Sequence, residues 1–193
     1  MKKMSVQSLT YASLLIALGI MIPLVMPVKV VIGPASYTLA SHVPVFLAMF
    51  VSPWVAVLVA LGTAFGFFLS LPFIIGFRAL SHVIFAFFGA LYLSKRPSII
   101  DSPKKMMLFN VVIGLIHAAC ETLVVTLFFM TGKLSAESYT SGFFMTVIVF
   151  VGVGGFIHSL IDYGIAFSVA QKLGTKFKFP VYLKAQQLKS KKA

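Results

Sequence analysis

Long apolar runs separated by short polar breaks set the rhythm of this chain. The first, Leu9 to Pro27 ("LTYASLLIALGIMIPLVMP"), follows the basic start "MKK". Its apolar part exceeds a secretory-signal core and no small-residue cleavage site follows at the right distance, which predicts a retained first helix. After "VKVVIGPASYT", broken by Lys29, Gly33 and Pro34, comes Leu39 to Val51, too short to span upright alone. It reads as a short second helix or as the end of the preceding loop. Ser52 and Pro53 open a third run, Trp54 to about Leu71, which Pro72 punctuates. The fourth run covers roughly Ile74 to Leu93, the fifth Met106 to Met130 and the sixth about Phe143 to Gln171. Each full run has the ~20 residues a helix needs to cross ~30 Å of hydrocarbon. Membrane strands would instead alternate polar and apolar positions in pieces of about ten. The pattern predicts an all-α integral membrane protein: a six-transmembrane-helix bundle over 1–172, with a basic cytoplasmic tail over 173–193.

Composition agrees with this. At 60% hydrophobic, 10% charged and a mean hydropathy of +1.03, the 193 residues hold too little polar surface to coat a water-soluble globule. The single cysteine, Cys120, excludes an intrachain disulfide and a cysteine-cluster metal site.

The cations set the orientation. With both termini cytoplasmic, the inner side holds Lys2 and Lys3, the loop cations Lys95, Arg96, Lys104 and Lys105, and every lysine from Lys172 onward, while the outer side keeps Lys29 and Lys133. Arg78 is left inside a helix. The net charge of +12 is thereby explained by an inner face and tail that meet anionic lipid headgroups. No zinc-finger, RNA-binding or helix-turn-helix pattern points to nucleic acid. No GxxxxGK[ST] loop is present, so the chain is not expected to hydrolyse ATP itself.

Polar residues inside the oily runs carry the chemistry. Arg78 and His82, His117 and Glu121, and His158 and Asp162 are each four apart, and so each pair shares one helix face. Counting from the ends, Arg78 lies about a turn below the outer surface. Glu121, roughly 22 Å along its helix, lies in the outer half as well. Arg78, His82, Glu121 and His117 are therefore expected to converge. His158 and Asp162 count to near or below the midplane, which separates them from that cluster and favours a structural role in fixing helix rotation. For Arg78 function is favoured, because a guanidinium has five donors and one carboxylate leaves some free for an incoming anion. His42, in "ASHVP", is balanced between the two roles.

With these residues in place, the chain resembles the substrate-binding (S) components of energy-coupling-factor vitamin transporters. The likeness covers nearly the whole chain: six helices in under 200 residues, both ends inside, and a long Gly/Pro-containing first loop. It is most similar to the niacin-type members through "LLIALGIMIP", "PVKVVIGPASYTLASHVPVFLAMFVSP" and "FRALSHVIFA". The resemblance implies capture of a vitamin from outside in a pocket built by the first loop and the outer parts of helices four to six. It also implies delivery by toppling, together with a scaffold subunit and two ATPases that consume the ATP. The chain itself is expected to need no cofactor and no metal and to be no enzyme. Family members dock through small residues on helix one, typically Ala-x-x-x-Ala. Here Ala12 and Ala17 are five apart and Ser13-x-x-x-Ala17 is the nearest match.

For a nicotinate-like ligand, Arg78 would take the carboxylate, and His82, His117 or Glu121 would meet the ring nitrogen. Tyr37, Phe73 and Phe77 are candidate walls, with His42 nearby. Three other readings stay open below this one. The chain is read alternatively as a self-sufficient proton-coupled carrier, with titrating Glu121, Asp162 and histidines, although no inverted repeat of broken helices is evident. Four histidines on separate helices also suit a haem-binding cytochrome, against which their unequal depths argue. An intramembrane metalloprotease would need more than the single Glu121, and no HExxH occurs.

Overall fold

The computed structural model describes residues 4–191; Lys2, Lys3 and Lys192, assigned above to the inner side, lie outside the described residues. Helix α1 spans Val6–Val25, capped where the Ser5 hydroxyl accepts from the backbone N–H of Ser8 at 3.2 Å. The polar residues before Leu9 thus extend the helix instead of delaying it. Next, strands β1, Lys29–Ile32, and β2, Ala35–Thr38, pair antiparallel with Ile32 opposite Ala35. Their two-residue turn needs Gly33, whose φ of +56° is the left-handed conformation glycine accepts without cost. This hairpin, where the sequence showed only breakers, is the one sheet among the described residues.

Helix α2, Val43–Met49, is much shorter than a span, about 10 Å at ~1.5 Å per residue. It is nevertheless core, since Phe46, Ala48 and Met49 are fully buried. Helix α3, Pro53–Ser70, starts on the Ser52 cap. It runs parallel to α1: Gly62 faces Ile16, and one turn further Gly66 faces Ile20. A β-carbon at Gly62 would stand 2.6 Å from the Ile16 side chain, so the close approach requires glycine. Two consecutive long helices that run in the same direction leave the hairpin and α2 to bring the chain back between them.

Helix α4, Phe73–Lys95, and helix α5, Pro103–Met130, are joined by a 3-10 turn at Pro97–Asp101. A short turn of helix, α6, Glu137–Thr140, precedes a π-wound segment, Phe144–Gly154, that continues directly into α7, Gly155–Leu173. Among the described residues, five helices, with α7 counted together with its π-wound start, are long and apolar enough to cross a membrane. Their outer flanks expose Leu14, Leu18, Phe65, Leu69, Phe88, Leu123 and Ile157, an apolar surface far larger than water tolerates and suited to lipid. The chain is a multi-pass helical membrane protein.

The last helix, α8, Pro180–Ser190, does not trail away as a free tail. It buries Val181, Tyr182 and Ala185 against the end of the bundle, where the Val181 N–H meets the Phe50 carbonyl at 3.3 Å and the Tyr182 ring lies 5.8 Å from that of Phe50. Lys189 pairs with Asp101 at 2.7 Å, and the Tyr11 ring, early in α1, lies 5.6 Å from that of Phe179. Hence the start of α1, the α2–α3 junction, the α4–α5 turn and α8 share one end of the bundle, rich in cations. The hairpin, the α3–α4 turn and the segment after α5, with Lys29 and Lys133, form the other.

Candidate functional site

A cavity of about 460 Å³ lies under the hairpin end, within the usual range for small-molecule pockets. Its walls come from the hairpin, from Thr63 and Phe67 of α3, from the start of α4 and from 133–138 beyond α5; Lys29 and Lys133 line it too. Arg78, His82, Glu121 and His42 line it as well, among the hydroxyl side chains of Ser36, Thr38, Ser41, Ser135 and Ser138.

Each of three helices presents its pair of polar residues, one turn apart, to the same point. Arg78 on α4 donates from Nη1 to the Pro34 carbonyl at 2.8 Å and from Nη2 to Glu121 Oε2 at 2.9 Å. Its Nε is buried and has no partner. The other carboxylate oxygen, Glu121 Oε1, stands 3.0 Å from His82 Nε2 and 3.5 Å from His117 Nε2, and the two imidazole nitrogens are 3.2 Å apart. All four residues are at most 7% exposed. A carboxylate and a guanidinium so far from water are tolerable only because each is paired and hydrogen-bonded.

The pair on α7 does not keep apart from this cluster, and the depth assigned to it from sequence is corrected here. The His158 ring centroid lies 5.0 Å from that of His42, which in turn is 4.9 Å from His82 and 4.6 Å from His117. The miscount arises because the π-wound start of α7 changes the rise per residue over 144–154. Asp162 is fully buried and gathers the hairpin–α2 junction. Its carboxylate accepts from the N–H groups of Ala40 and His42, at 2.8 and 2.9 Å, and from His42 Nδ1 at 3.1 Å. Those bonds hold Ala40 at φ +66°, a conformation that costs a non-glycine residue about 1 kcal/mol or more. Ser41 Oγ completes the junction 3.1 Å from His158 Nε2.

Two proposed walls and one docking position stand elsewhere. Phe77 packs with Phe68, Phe73 and Phe128 outside the cavity lining; of these, Phe73 and Phe128 also reach the cavity. Tyr37 points away from the cavity: its hydroxyl donates to the Phe150 carbonyl in the π-wound segment, its ring abuts Gly154, and His158 lies 5.7 Å off. Ala12 is buried in the core and so cannot face a partner, whereas Ser13 and Ala17 are exposed on the opposite flank of α1.

The Pro34 carbonyl, Ser41 and the role of Asp162 were not found from sequence. A backbone carbonyl leaves no side-chain signal. The Ser41–His42 dipeptide at the head of a short apolar run was the available clue. The four histidine rings pack against one another, with centroids 4.6–5.0 Å apart.

Membrane-length helices around a charged, cavity-lining cluster make this a multi-pass membrane protein with a small-molecule pocket. The curated niacin transporter NiaX of Lactococcus lactis subsp. cremoris (strain MG1363) is 42% identical to this chain over 192 residues, 99% of the chain and 85% of NiaX. The chain therefore belongs to the family of NiaX, the niacin-type S components of energy-coupling-factor vitamin transporters, and is a transporter and not an enzyme. No family model matches the chain, and no solved structure matches it.

Proposed function

We propose that the protein is the capture subunit for uptake of niacin, bound as nicotinate from outside and passed inward with a scaffold subunit and two ATPases that supply the ATP. The kinship with a niacin transporter supports the substrate. The observation that carries the capture step is the Arg78 guanidinium at the cavity wall, whose Nη1 and Nη2 each spend one of two N–H groups, on the Pro34 carbonyl and on Glu121. In this reading the nicotinate carboxylate takes the spare donors. His82, which lines the cavity, serves the ring nitrogen through Nδ1, its Nε2 being turned to Glu121 and His117, and Phe67 and Phe73 flank the ring.

The topology follows the same reading. α2 and the hairpin make the return pass, giving six passes with both termini cytoplasmic, and the cavity then opens outward beside Lys29 and Lys133. Ser13 and Ala17, small and exposed one turn apart on α1, suit close approach of a scaffold helix in lipid. Native mass spectrometry of protein purified from vitamin-rich medium tests the substrate. A bound mass equal to nicotinate is expected, and a different co-purified vitamin would replace the ligand. Uptake that persists in cells lacking the ATPases would instead favour a self-sufficient carrier, a reading for which the buried His and carboxylate cluster is the supporting observation.

A further inference from the structure

We propose that His42, His82, His117 and Glu121 bind one divalent transition-metal ion of the zinc class at the floor of the cavity. These residues come from the N-cap of α2, from α4 and from α5; His82, His117 and Glu121 are buried and the His42 side chain is 11% exposed, and each brings one ligand atom within 4.8 Å of the others. The inner triangle is tighter. His82 Nε2, His117 Nε2 and Glu121 Oε1 are separated by 3.0, 3.2 and 3.5 Å. The ligands of a tetrahedral ion, each at ~2.0 Å from it, stand ~3.3 Å from one another.

Protons satisfy this triangle only in part. With Glu121 ionised, a single N–H on His82 Nε2 has to be shared between Glu121 Oε1 and the lone pair of His117 Nε2, and that lone pair still faces the carboxylate oxygen at 3.5 Å. A cation at the centre meets all three lone pairs at once. The surroundings have the form of metal support as well. Asp162 accepts from His42 Nδ1 at 3.1 Å, which leaves the far nitrogen of that ring as the lone-pair donor, the carboxylate–histidine–metal pattern. Imidazole and carboxylate donors without thiolate select a borderline ion such as Zn²⁺, Ni²⁺ or Co²⁺.

The role assigned to the ion rests on the capture reading, whereas the site rests on the geometry. With neutral imidazoles, the carboxylates of Glu121 and Asp162 outnumber the guanidinium of Arg78, and the floor carries one negative charge. An organic anion would add a second in a buried setting. A divalent ion turns the floor to one positive charge, and nicotinate then brings it to zero.

The test uses the full chain in detergent, purified without a polyhistidine tag and stripped with a chelator. Titration with Co²⁺ is expected to give saturable visible d–d bands of a tetrahedral site at one ion per chain, displaced by Zn²⁺. His82→Ala and His117→Ala should each abolish the bands, and Asp162→Asn should weaken binding about 10- to 100-fold. Zn²⁺ should also raise the thermal midpoint of the wild type and leave that of His82→Ala unchanged, a readout that separates lost ligation from lost folding. Absence of saturable binding, or equal binding in wild type and both alanine variants, overturns the site. Nicotinate titrated into stripped and Zn²⁺-loaded protein separates the two readings. Tighter binding to the loaded form supports the role of the ion. Equal binding, or binding to the stripped form with proton uptake, overturns that role. Failure of nicotinate to bind either form while Co²⁺ still binds overturns the nicotinate reading and leaves the metal site standing.

Discussion

Asp162 and Asp101 are both partnered carboxylates, and their environments set very different worth. Asp101 meets Lys189 at the surface, where the lysine is 65% exposed, and such pairs contribute little. Asp162 is shut away from water and serves two backbone N–H groups and an imidazole. Charged hydrogen bonds of that kind contribute about 1.5–3 kcal/mol each when one partner is removed. Asp162→Asn turns a donor toward one of these N–H groups and is expected to destabilise the protein by about 2 kcal/mol or more. Asp101→Asn should fall within ~0.5 kcal/mol of wild type. Thermal unfolding of both in one detergent checks the contrast, and equal midpoints would show that the junction does not depend on Asp162.

At the scale of elements, the π-wound start of α7 is fitted to the hairpin. Tyr37 reaches across from β2 to the Phe150 carbonyl, and its ring occupies the space that any β-carbon at Gly154 would need. Gly154→Ala therefore has to displace the phenol. A loss of about 1–3 kcal/mol is expected. In a cycle with Tyr37→Phe, which already removes the donor, the two losses should fall short of additive. Full additivity, measured by unfolding of the single and double variants, would mean that the glycine and the tyrosine act separately.

This region also shows where the sequence was legible. The apolar runs located α1, α3, α4, α5 and α7 to within a few residues, because a span must be continuously apolar. The i, i+4 pairs brought Arg78, His82, His117 and Glu121 toward one point, because each helix fixes its own face. Three features left no such mark. The hairpin depends on pairing between strands four residues long, α2 is held by burial and not by length, and the π winding shifts His158 and Asp162 without altering the apolar pattern.

At the scale of the whole molecule, the two ends of the bundle differ in kind. One carries most of the cations and is closed by α8; the other carries the hairpin and the cavity. The buried cluster joins α2, α4, α5 and α7 beneath that cavity, so a ligand at its floor touches the elements that close the bundle. The most direct test is the affinity of purified protein for nicotinate, titrated in wild type, Arg78→Lys and Arg78→Ala, with unfolding midpoints recorded alongside. The account predicts a loss of tenfold or more for lysine, which keeps the charge without the fork, and a larger loss for alanine, about 100-fold or beyond. Undiminished affinity in a folded Arg78→Ala protein would contradict it.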